Sequence, residues 1–66
     1  MVVHINGEER RLESGLSVTQ LLQELDIRPA RVVVELNRNV LPRDAFATTA
    51  LNDGDKIEIV HFVGGG

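Results

Sequence analysis

The chain has 66 residues, 42% of them hydrophobic, and 7 Lys+Arg against 10 Asp+Glu give a formal net charge of -3. That length holds one core and no second domain. An acidic balance with two Phe, no Tyr and no Trp excludes a general phosphate-binding or base-stacking surface, and zero Cys with only His4 and His61 excludes disulfide and structural-zinc staples.

Apolar runs such as Val32–Val34 and Leu21–Leu22 fall far short of a membrane span, and no basic stretch followed by an apolar one opens the sequence. The expectation is a cytoplasmic protein that binds neither nucleic acid nor membrane. Val3 and Ile5 alternate with Val2 and His4 before Asn6-Gly7, a dipeptide whose tolerance of positive φ suits a two-residue hairpin turn. The second arm, Glu8 to Glu13, is polar apart from Leu12, which predicts a charged edge strand ended by Ser14-Gly15.

From Ser17 the spacing becomes helical, with Val18, Leu21, Leu22 and Leu25 forming one apolar stripe. Ser17 and Gln20 have capping-box spacing, and Asp26-Ile27-Arg28-Pro29 is expected to stop the helix because the residue before a proline avoids helical geometry. Arg31 to Leu36 is rich in β-branched residues and reads as a strand. Asn37-Arg38-Asn39 then turns the chain into Val40-Leu41, ended by Pro42. Asp44 is expected to cap a short helical turn carrying Phe46. Asn52-Asp53-Gly54-Asp55 marks a turn before a last strand, Lys56–His61. One helix covering one sheet gives an α+β layer architecture, with the strand order left open.

Catalytic chemistry finds few candidates. Ser14 and Ser17 fit turn and cap positions, and Glu8, Glu9 and Glu13 fit a solvated edge. His4 and His61 would have to be neighbours and gain a carboxylate to hold a metal, so no catalytic residue and no metal ligand is assigned. The sequence instead ends in Gly64, Gly65 and Gly66, directly after Val60, Phe62 and Val63. Glycines can thread a narrow channel where any Cβ would clash, and Gly66 leaves its carbonyl carbon open to a nucleophile. A carboxylate is a poor electrophile until activated. An ATP-using partner could convert it to an acyl adenylate, with this chain supplying position and no catalysis.

Several strings then point to a family: Ile5-Asn6-Gly7-Glu8, Leu16-Ser17-Val18, Val34-Glu35-Leu36-Asn37, Val40-Leu41-Pro42-Arg43, Asp53-Gly54-Asp55 and Ile59 through Gly66. In this order and at this length they resemble the ThiS family of thiamine-biosynthesis sulfur carriers, which are ubiquitin-like β-grasp domains ending in Gly-Gly. The resemblance implies a mixed sheet of four to five strands on one main helix, with a domain over residues 1–62 and a flexible glycine tail over 63–66. It also implies that Gly66 is adenylated by an E1-like adenylyltransferase and converted to a thiocarboxylate with a sulfur-donating enzyme. The sulfur then passes to thiazole synthase. Gly64 and Gly65 would thread into the partner site, no cofactor would be bound, and ATP would be used by the activating partner. Phe46 stands where the family often has tryptophan and is expected in the core.

Strand alternation makes Val33, Val60 and Phe62 candidates for a docking patch on the face away from the helix, with Glu35 and Glu58 nearby to favour a basic partner. Other readings are a carrier like the small subunit of molybdopterin synthase, a ubiquitin-like covalent modifier, or a non-covalent binding module. The first tends to be longer, and the second has a single lysine, Lys56, which disfavours branched chains.

Overall fold

A computed structural model describes residues 1–62. The expected tail, residues 63–66, lies outside the described residues. Five strands appear in the chain: β1 (Val2–Ile5), β2 (Glu8–Arg11), β3 (Val32–Leu36), β4 (Asn39–Leu41) and β5 (Lys56–His61). They form one sheet in the order β2-β1-β5-β3-β4. The helix α1 (Val18–Glu24) lies between β2 and β3 in sequence, and 3-10 turns occupy Pro29–Arg31 and Arg43–Ala45.

The first and last strands pair in parallel at the centre of the sheet, with Ile5 opposite Ile57, while the other three pairings are antiparallel. Parallel neighbours need a crossover, and α1 lies within the connection that supplies it. This is the mixed β-grasp sheet on one helix that the resemblance implies. Alternation turns Val3 and Ile5 of β1, Ile57 and Ile59 of β5, and Val32 and Val34 of β3 toward the core shared with Val18, Leu21 and Leu22 of α1. Phe46 is buried there as expected. A helix of seven residues is too short to persist alone, so α1 exists because that stripe is buried.

The predicted capping box is present: the Ser17 hydroxyl accepts from the Gln20 amide at 3.1 Å, and the Ser17 amide donates to the Gln20 side chain at 2.8 Å. The helix ends where expected, just before Asp26, but for a different reason. α1 stops before Pro29 has any say, because Asp26 takes a left-handed conformation with φ of 58°. The Ile27 amide then donates to the Leu22 carbonyl at 2.9 Å and the Asp26 amide to the Gln23 carbonyl at 3.1 Å, the paired bonds of a Schellman motif. Leu25 caps the helix and packs half-buried against the core.

Three smaller corrections follow. The edge strand β2 stops at Arg11, short of Glu13, and Arg31 belongs to a 3-10 turn whose backbone is fixed by Pro29, so β3 starts at Val32. Asp44 does not cap the turn before Phe46. Pro42 takes the cap position, without a side-chain hydrogen bond, and Asp44 lies inside the first turn.

Candidate docking face and tail exit

The candidate docking geometry centres on β5. Its Ile57 and Ile59 point into the core, so Lys56, Glu58 and Val60 point to the opposite face of the sheet. Antiparallel register sets Val33 of β3 directly opposite Val60. Val60 is 56% exposed and Phe62 55%, while Val33 is half-buried between its neighbours. Phe62 is the last described residue, and its amide donates to the Arg31 carbonyl at 3.0 Å, so backbone pairing with the β3 side continues past the end of β5. Val33 and Val60 thus stand opposite each other on the outward face, and Phe62 follows the end of β5 as an exposed apolar residue.

The same face holds more than alternation in β5 had indicated. Val40 of β4 sits opposite Glu35 and is 65% exposed. The signal for it was present in the sequence, because Leu41 packs on the core and its neighbour must therefore face outward. Glu35 also stands directly opposite Glu58. The outer surface of β3, β4 and β5 therefore carries Val33 and Val60 in one row and Val40, Glu35 and Glu58 in the next.

On the helix side of β5, a cleft of about 220 Å³ is floored by Ile5, Leu25, Ile27 and Ile59 and reached by Asn6, Glu8, Arg10 and His61. Asn6 is a structural residue that sequence reading took only as a turn former. Its side-chain oxygen accepts from the Ile59 amide at 2.7 Å, and its side-chain nitrogen donates to the Ile59 carbonyl at 3.2 Å. This carries the β1–β5 pairing past the end of β1.

The remaining candidates are placed apart. β1 and β5 are neighbours, yet His4 is in register with Lys56, five residues before His61, a separation of roughly 16 Å along the strand. His4 faces outward with its Nε2 4.0 Å from the Glu9 carboxylate, whereas His61 lines the helix-side cleft. Among the described residues no three His, Cys, Asp or Glu side chains gather as metal ligands. Ser14 is exposed, the Ser17 hydroxyl is spent on its cap, and Glu8, Glu9 and Glu13 are exposed. No described helix is long and apolar enough to cross a membrane. Gly64, Gly65 and Gly66 lie outside the described residues.

Comparison with known proteins gives this geometry a context. The family model named ThiS family matches residues 3–66. The chain is 47% identical over 66 residues to a protein named thiazole synthase from Paramagnetospirillum magneticum, covering all of this chain but only 20% of that relative. It is 30% identical to the sulfur carrier protein ThiS of Escherichia coli, with both chains covered in full. A crystal structure of the thiamine biosynthesis protein ThiS from Geobacter metallireducens superimposes with a TM-score of 0.87 at 40% identity, again with both chains fully covered.

Proposed function

The chain belongs to the ThiS family of sulfur carriers, and from that premise we propose that its Gly66 carries the sulfur destined for the thiazole of thiamine. The observation that carries this reading is the family match itself, which runs through the three glycines to residue 66. In the proposed cycle a Gly66 carboxylate oxygen attacks the α-phosphate of ATP held by an E1-like adenylyltransferase and expels pyrophosphate. Hydrosulfide supplied by a sulfur-donating enzyme then attacks the carbonyl carbon, a C–S bond forming as the C–O bond to AMP breaks, and loss of the thioacid proton leaves a thiocarboxylate.

Thiazole synthase is the proposed receiver. A relative of that name contains a stretch similar to this whole chain, which is what one polypeptide uniting donor and receiver would show. The chain itself contributes no acid, base or metal to these steps. Its part is to present Gly66 to the partner's reacting groups, with Val33, Val60 and Phe62 as the docking surface and Gly64 and Gly65 threading into the partner site.

The test is whole-protein mass spectrometry of a chain ending at Gly66, recovered from its native source. The expected result is a population heavier by the exchange of one oxygen for one sulfur, absent when Gly66 is deleted although the deleted chain still folds. Free carboxylate alone, or conjugates to lysine, would overturn the reading.

A further inference from the structure

The outward face of the sheet holds two like charges side by side. Register places Glu35 directly opposite Glu58, one pair along from Val33 and Val60. Directly opposed side chains have Cβ atoms about 5 Å apart, and like charges there repel. Among the described residues the one contact within 4.0 Å between a basic side chain and a carboxylate joins His4 and Glu9. Lys56, two residues before Glu58 on the same face, pairs with neither acid.

Folding gains nothing from two facing carboxylates, but a cation set between them would gain from both. Arginine suits the position best, because its planar donors can serve two carboxylates at once and it sheds water more readily than an ammonium group. The patch beside the pair, Val60 and Phe62, supplies exposed apolar surface for the same partner.

We propose that Glu35 and Glu58 form a clamp for one arginine of the ATP-using partner, with Val33, Val60 and Phe62 as the apolar half of the contact. The inference rests on the carrier reading above. Charge selects the occupant: a site that brings ATP phosphates and the Gly66 carboxylate together must carry surplus positive charge, and its field extends to the rim of its entrance. Position agrees, since Glu58 stands four residues, roughly 13 Å of strand, before Phe62 and the tail exit.

The test is ATP–pyrophosphate exchange by the E1-like adenylyltransferase of the same source, with full-length chain as the varied substrate. For the double variant E35Q/E58Q we expect KM to rise on the order of tenfold while kcat stays unchanged. Added salt should weaken the wild type and leave the variant nearly indifferent. The thermal midpoint of the variant should be equal to or above that of the wild type, because repulsion has been removed. An unchanged KM, or a raised KM with a lowered midpoint, would overturn the clamp. So would unchanged exchange with a loss confined to sulfur transfer onto thiazole synthase. Failure of the wild type to support any exchange would overturn the carrier reading and the clamp with it, so the two failures are told apart.

Discussion

Two hairpin turns in this molecule start from the same design and end differently. Asn6-Gly7 joins β1 to β2 and Asn37-Arg38 joins β3 to β4, each as a two-residue turn with both residues at positive φ. Each asparagine also reaches across to β5. Asn6 grips Ile59 through both atoms of its carboxamide, near the tail exit and partly buried. Asn37 accepts from the Lys56 amide at 3.0 Å and donates to the Asp55 carboxylate at 3.0 Å, at the exposed start of the strand. A residue chosen for turning the chain thus doubles as a clip on the strand that leads to Gly66, and the two clips hold opposite ends of it.

The largest effect should come from breaking the clip at the exit. Asn6→Ala removes two hydrogen bonds and strands a partly buried amide and carbonyl of Ile59, so we expect a loss of roughly 2–3 kcal/mol in urea unfolding. For a domain of this size that is a fall of about 10–20 °C in thermal midpoint. Amide exchange at Ile59 should quicken more than at Ile57, because the Asn6 side chain guards only the former; equal protection at both would refute a clip at this end. Asn37→Ala should cost less, about 1 kcal/mol, since water can replace its exposed partners at Lys56 and Asp55. A loss equal to that of Asn6→Ala would erase the distinction between buried and exposed ends.

Local signals were legible where physics is local. The Val18, Leu21, Leu22 stripe, the Ser17–Gln20 box and the Asn6-Gly7 turn could all be read because their partners lie within a few residues. Strand order was not, because the pairing of β1 with β5 joins residues 52 apart, as in Ile5 with Ile57, and no local periodicity encodes a neighbour at that distance. The asparagine clips were hidden for the same reason: turn chemistry explains the positive φ of Asn6 but says nothing of a carboxamide reaching 53 residues ahead. The helix ended where expected, at Asp26, but the cause was hidden because Asp26, not glycine, occupies the left-handed position. On the outward sheet face, alternation sufficed to place Val33 and Val60, yet the direct opposition of Glu35 and Glu58 needed the register of β3 on β5.

The smallest effect lies at the second position of the two turns, and it runs in the stabilising direction. Gly7 adopts φ of 82° without steric cost, whereas Arg38 adopts 72° with a Cβ that a left-handed backbone crowds. The strain of roughly 1–2 kcal/mol at such a residue is partly offset by the greater freedom that glycine regains on unfolding. Arg38→Gly should therefore raise stability by about 0.5–1 kcal/mol, turning the second hairpin into the Asn-Gly form of the first. Arg38 is exposed and lies at the turn, away from Val60 and Phe62, so the same variant should be adenylated with unchanged kinetics. A stabilised variant that loses exchange activity would instead give Arg38 a part in docking, which would mean the strained arginine is kept for a contact that glycine cannot make.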